Sequence, residues 1–286
     1  MQTVAIFGVG LIGGSFALAL RKAGYTGRIA GVSSKATTER AIARGAIDEA
    51  LPASAAAASA DLIFLAQPIG VILETISAIA PYVQKHALVT DAGSTKSAIM
   101  AASRQISESL FVGGHPMAGR EARGVDAASA ELFQHRLWAL TPARPDDMDR
   151  TQCREFIYWI ERIGAIPLIL DAAEHDRTVA FTSHLPQLLS SALAASLAER
   201  SPEGHEVHGP GLEDMTRLAL SSFDIWADIL TTNRENVAAA LAAYVTALQT
   251  IHSNVVNSCY SDIRQLFEQG NSFAQAIRQS SNREPA

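Results

Sequence analysis

At 286 residues the chain has room for two domains of ordinary size, and 48% hydrophobic against 18% charged residues is enough to bury a substantial core. Lys and Arg number 23 against 29 Asp and Glu, a formal net charge of -6 with no basic run, which argues against nucleic-acid binding. No apolar stretch reaches membrane-spanning length, and Cys153 and Cys259 lie far apart with no motif around either, against a disulfide framework or a cysteine metal site.

Residues 4–7 (VAIF) form an apolar run with no polar face, which predicts a strand buried on both sides. Gly8, Gly10 and Gly13 follow at once as G-x-G-x-x-G, with Leu11 and Ile12 between them, and helical spacing resumes through Phe16, Leu18, Ala19 and Leu20 until Gly24. In this strand–turn–helix setting Gly8 permits the tight turn, Gly10 lets a pyrophosphate approach the backbone, and Gly13 lets helix and strand pack closely. The free N–H groups of the new helix then hold the phosphates, so residues 8–13 read as a dinucleotide-binding turn. A glycine-rich turn with no ligand is the bland alternative.

Residues 28–32 read as the second strand, whose end meets the adenosine ribose in such folds. NAD-selective chains carry an acid there, but this one reads Ser33-Ser34-Lys35, two hydroxyls and an ammonium with no opposing carboxylate. NADP is therefore expected in preference to NAD. Residues 38–44 read as helix and 48–51 as extended. The strand at 61–66 ends in Gln67-Pro68, and Pro68 stops the ladder where a nicotinamide ribose would lie. A helix follows at about 69–80. Strands at 87–90 and 111–113 end in the segments carrying Ser94 and His115, and further strands at 137–140 and 166–170 flank a helix at 151–163.

From Asp171 the pattern is helical. Asp171 and Glu174 have capping-box spacing. Helices are predicted at 172–199 and 213–230, separated by a polar loop. A last, unbroken helix is predicted from Asn233 through Phe267, on the order of 50 Å long. That is too long for so small a domain to cover alone, which implies a second copy against it. The polar residues from Ser280 read as a disordered tail. The expected fold class is an α/β Rossmann-type dinucleotide-binding domain, residues 1–170, followed by an all-α helical dimerisation domain, residues 171–286.

His115 is expected in a glycine-rich turn just past its strand, at the mouth of the nucleotide crevice. An imidazole there can take a proton from an alcohol as hydride leaves the same carbon. Ser94, at the neighbouring strand end, can orient that ring or contact the nicotinamide. The plain alternative is that both residues only tie their turns together. His205 and His208 lack a third ligand, so no metal site is expected. His175, just inside the predicted cap, reads as structural.

The segments Gly8-x-Gly10-x-x-Gly13-Gly14-Ser15, Asp91-x-Gly93-Ser94-x-Lys96, His115-Pro116-Met117-Ala118-Gly119, Ser183-His184-Leu185-Pro186, Asp214-x-Thr216-Arg217 and Trp226-x-Asp228-Ile229 occur in that order. Together they resemble the prephenate/arogenate dehydrogenase family of tyrosine biosynthesis, over nearly the whole chain. The resemblance implies oxidation at the ring hydroxyl of prephenate or arogenate, hydride transfer to NAD(P) and loss of the ring carboxylate as CO2. It implies that His115 accepts the hydroxyl proton with support from Ser94. Arg217 would bind a substrate carboxylate, and His184 would line the substrate pocket from the helical domain. Four positions depart from the family pattern. Ser33 replaces the ribose acid, Arg120 stands where a threonine is usual and either adds a cation near the substrate or only faces solvent, and Gly211-Leu212-Glu213-Asp214 replaces an aromatic and basic segment. Gln187 follows His184-Leu185-Pro186 and leaves ketone or amine preference open.

A β-hydroxyacid dehydrogenase is the rival enzyme reading, but it needs a lysine in its helical part, and the lysines here are Lys22, Lys35, Lys85 and Lys96. A non-catalytic NAD(P) sensor is the third. The expectation is a cytoplasmic homodimer joined through its C-terminal helices, with no membrane or nucleic-acid partner.

Overall fold

A computed structural model describes residues 1–106, 108–120 and 122–281; the tail expected from Ser280 lies, beyond Ser281, outside the described residues. The described chain forms two compact units, Met1–Arg234 and a second beginning at Glu235.

The first unit is built on β1 (Thr3–Phe7), β2 (Arg28–Val32), β3 (Glu49–Ala50), β4 (Leu62–Leu65), β5 (Leu88–Asp91), β6 (Leu110–Pro116), β7 (Leu137–Pro142) and β8 (Ile166–Ile169). They form one sheet in the order β3-β2-β1-β4-β5-β6-β7-β8, parallel throughout except for the antiparallel pair β6–β7. Alternate side chains feed two cores. Ile6, Phe64 and Trp138 join Phe16 and Phe156 on one face, while Phe7, Ile63, Leu65 and Val89 pack with Ile72 and Ile76 on the other. Both faces are covered, which is why these strands carry unbroken apolar runs.

The helices of this unit are α1 (Leu11–Lys22), α2 (Lys35–Ala43), α3 (Ala53–Ser59), α4 (Ile69–Ile79), α5 (Ser97–Ala102), α6 (Thr151–Arg162), α7 (Ala172–Val179), α8 (Leu185–Arg200), α9 (Pro210–Thr216) and α10 (Phe223–Thr232). Asp171 caps α7, accepting from the N–H groups of Ala173 and Glu174 at 2.8 and 3.1 Å. The single helix expected over 172–199 is instead interrupted by a π-helical turn, Ala180–His184. Pro186 accounts for it, because it brings no N–H to the backbone ladder. The helix expected at 213–230 is likewise broken, with a 3₁₀ turn, Arg217–Leu220, between α9 and α10.

The second unit contains α11 (Arg234–Val256, whose first residue closes the first unit) and α12 (Tyr260–Ser281). The unbroken helix expected here is two helices. Ser258 takes a left-handed conformation, φ 58°, and the Cys259 N–H reaches back to the Asn254 carbonyl at 2.8 Å, which ends α11.

Candidate active site

After β1 the chain runs outward through β2 and β3, then returns to place β4 on the other side of β1. The carboxyl ends of β1 and β4 therefore flank the switch point at which α/β sheets bind ligands. Gly8 has φ +88°, and a Cβ there would lie 2.5 Å from the Ala66 carbonyl oxygen, so no side chain fits between the two strand ends. A Cβ on Gly13 would strike the Gly8 carbonyl and Ile6. Gly10 is different: a Cβ there meets nothing within 4 Å. Its missing side chain leaves open space over the first turn of α1, a turn with no acidic residue. These features fit the pyrophosphate of a dinucleotide. A groove of about 830 Å³ opens beside this turn, lined in part by Leu11, Ile12, Pro68, Arg120, Gln187 and Arg217.

Ser33, Ser34 and Lys35 stand exposed at the end of β2. The Ser34 hydroxyl is engaged as the cap of α2, 2.9 Å from Thr37 Oγ1. Ser33 and Lys35 are thus the groups free of capping duty at the adenosine end.

A second cluster lies around His115, which is half-buried. Its Nδ1 is 2.9 Å from His175 Nε2, and His175 Nδ1 is 2.9 Å from Asp176 Oδ1. The Asp176 carboxylate also accepts from the N–H groups of Lys96 and Ser97 at 2.7 and 2.8 Å. Burial opposes its charge, but the His175 and backbone hydrogen bonds outweigh burial and hold its pKa below the usual range. An ionised carboxylate only accepts, so His175 Nδ1 carries the hydrogen that faces it. His175 Nε2 can then accept from His115 Nδ1, an arrangement that puts the lone pair of His115 on Nε2. Burial, followed by the nearby His175 and Lys96, pushes the His115 pKa well below its ordinary value, so this ring is a neutral acceptor.

Below the ring, Lys96 and Asp91 form an ion pair with both side chains sealed from solvent. Lys96 Nζ donates to the Gly114 carbonyl at 2.6 Å, and Asp91 Oδ1 accepts from the Gly114 N–H at 3.0 Å. The residue before His115 is thus held on both sides. His184 is buried beside Asn233, whose amide lies 3.3 Å from its Nδ1, while its Nε2 has no partner among the described residues. Burial lowers the His184 pKa to about 4.

The predicted residues fall into separate groups. Leu11, Ile12, Pro68, Arg120 and Arg217 border the groove, whereas His115, His184 and Ser94 are not among its lining residues. His115 does not stand in a turn beyond its strand. It lies within β6, opposite Ala139, because β7 extends the pairing as far as Pro116. Ser94 makes no hydrogen bond to the imidazole; His175 does. His175, read from the sequence as structural, and Asp176, which drew no notice, are the residues that reasoning missed. The only local signal was a histidine–aspartate pair just inside the cap of α7.

Two family models match the chain: prephenate dehydrogenase, nucleotide-binding domain, over residues 16–165, and prephenate dehydrogenase, dimerization domain, over residues 171–269. The chain belongs to the prephenate dehydrogenase family. A prephenate dehydrogenase of Lactococcus lactis subsp. cremoris is 34% identical over 284 residues, covering 97% of this chain and 78% of the relative. A cyclohexadienyl dehydrogenase of Zymomonas mobilis is 31% identical, over 89% of this chain and 88% of its own. Among solved structures, prephenate dehydrogenase from A. aeolicus in complex with hydroxyphenyl propionate and NAD+ matches with TM-score 0.89 and 29% identity, over 97% of this chain and 98% of that one. Synechocystis arogenate dehydrogenase matches with TM-score 0.83 and 30% identity, over 96% and 99%. This dehydrogenase is an oxidoreductase, and its reaction is the family's NAD(P)-linked oxidative decarboxylation of prephenate and/or arogenate.

Proposed function

We propose that His115 Nε2 is the base that takes the proton of the substrate's ring hydroxyl as the ring is oxidised and loses its carboxylate. The observation that carries this reading is the chain from Asp176 through His175 to His115, which leaves the lone pair on Nε2. As positive charge develops on His115, the ionised Asp176 stabilises it through His175. Bound NAD(P) supplies the hydride acceptor. Gly8, Gly10, Leu11, Ile12, Gly13 and Pro68 would hold it against the switch point. The Arg217 guanidinium, in the groove with Arg120, would bind substrate carboxylate by paired hydrogen bonds. His184 would border the substrate at the start of α8, and Ser94 would meet substrate or nicotinamide from the end of β5.

NADP is the preferred cofactor in this reading. Exposed Ser33 and Lys35, the latter in only a solvated pair with Glu39 at 3.9 Å, favour a 2′-phosphate over a bare ribose hydroxyl. Function divides at residue 170, the sheet holding the nucleotide and residues 171–286 serving substrate and assembly. The working form is a homodimer joined through α11 and α12, supported by the family's dimerization domain over residues 171–269. Two free thiols, Cys153 and Cys259, suit a cytoplasmic enzyme, and none of the described helices is long and apolar enough to cross a membrane.

The test crosses prephenate and arogenate with NAD and NADP and follows reduced nicotinamide. Turnover is expected with higher kcat/KM for NADP. Ser33→Asp should weaken NADP roughly tenfold or more and NAD little, because it sets a carboxylate against the 2′-phosphate. An equal effect on both would remove the cofactor assignment.

A further inference from the structure

We infer that Gln187 makes this dehydrogenase select the substrate whose side chain carries an α-amino group, arogenate, over the one that carries a ketone, prephenate. The inference rests on the reaction proposed above and concerns one amide in the first turn of α8. Gln187 is 6% exposed, and its Nε2 lies 2.8 Å from the Leu218 carbonyl and 3.3 Å from Ser191 Oγ. A carbonyl oxygen only accepts, so the amide nitrogen must face Leu218, and the amide cannot flip without losing that bond. Oε1 is left on the other side. It has no hydrogen-bond partner among the described residues and is not sealed from solvent, and Gln187 lines the groove. Three residues along, Ser190 Oγ accepts from the Ala219 N–H at 3.1 Å. Two tethers thus fix both the amide and the turn that carries Arg217.

The rest of the groove sharpens the contrast. Its described lining supplies Arg120, Arg123 and Arg217 and no carboxylate. Gln67, the other amide, has its oxygen engaged by Thr75 at 2.9 Å. The Ser221 hydroxyl accepts from Trp226, and the Ser222 hydroxyl is occupied with Asp224. Among the described lining side chains, Gln187 Oε1 is therefore the oxygen with no donor of its own and both lone pairs open. The two substrates differ at one position. An α-ammonium group only donates and pairs with this oxygen through a charge-assisted bond; a ketone only accepts and sets oxygen against oxygen. The arginines serve the carboxylate that both substrates carry, so they do not discriminate.

The experiment measures kcat/KM for arogenate and prephenate with the full chain at saturating cofactor. Arogenate should be favoured by about tenfold to a hundredfold, the span of a hydrogen bond to a charged group. Gln187→Leu loses the tether to Leu218 as well as the acceptor. A loosened Arg217 turn affects both substrates alike, so the ratio isolates the amine contact and should fall toward one. A preference for prephenate in the unaltered enzyme overturns the inference, and so does a ratio unchanged in Gln187→Leu. If that variant does not fold, the ratio in the unaltered enzyme decides alone. Turnover of neither compound overturns the underlying reaction, a result distinct from turnover with the reverse preference.

Discussion

The chemistry at His115 turns on which nitrogen holds a hydrogen, and that is set two residues away. Asp176 fixes His175, and His175 fixes His115, through two contacts of 2.9 Å. His115→Asn removes the base while leaving the glycine turn untouched. Turnover should drop on the order of 10²–10⁴-fold with dinucleotide affinity retained, as read by single-turnover rates and a dinucleotide titration. Near-normal turnover would end the assignment. The same ring sets the pH profile. A base works only when unprotonated, so activity falls as pH drops through its pKa, and burial places that pKa well below 6.5. The acid limb of kcat/KM in the unaltered enzyme should accordingly lie below pH 6.5. None of this pairing was legible in the sequence, because His115 and His175 lie 60 positions apart and meet only through the fold.

At the scale of elements, the three glycines of the first turn do different work, and substitution separates them. Gly10→Ala meets no neighbour within 4 Å, so stability should change by less than about 1 kcal/mol while dinucleotide affinity falls roughly tenfold. Gly13→Ala drives a methyl into the Gly8 carbonyl and should cost about 1–3 kcal/mol of stability. Urea unfolding and dinucleotide titration of the two variants check this, and equal stability losses would contradict it. Here the sequence was transparent, because strands covered on both faces must be apolar throughout and the turn must be glycine. It was opaque where a local signal ran against the final pairing. Gly113-Gly114-His115-Pro116 has the composition of a turn, yet β7 makes it strand. Asn257-Ser258-Cys259 continues a helical spacing, yet Ser258 adopts a left-handed conformation with no glycine to announce the stop.

For the whole molecule, the second unit presents large apolar side chains to solvent, among them Leu241, Val245, Leu248, Val255, Phe267 and Phe273. Exposure of so many large apolar side chains on two helices points to a surface that associates. Because these side chains are exposed, Leu248→Glu combined with Phe267→Glu should leave helix content unchanged and convert a dimer to monomers in sedimentation equilibrium. A dimer that persists would place the interface elsewhere. The two-part plan was legible from the change of periodicity at Asp171. The compact unit that holds the sheet nevertheless runs on to Arg234: Asp176 of α7 accepts from the Lys96 N–H past β5, and Asn233, just after α10, donates to the Asp176 carbonyl.

The pair that grips Gly114 has a bearing on how such a chain can change over generations. Lys96 and Asp91 share a space that water does not enter. Neutralising either one strands its neighbour's charge in the interior, at about 3–5 kcal/mol, a large fraction of what holds an ordinary domain together. A lineage cannot cross that gap one codon at a time. The two positions are expected to drift only as a couple, and a library randomising both should return survivors in matched combinations and almost none with a single replacement.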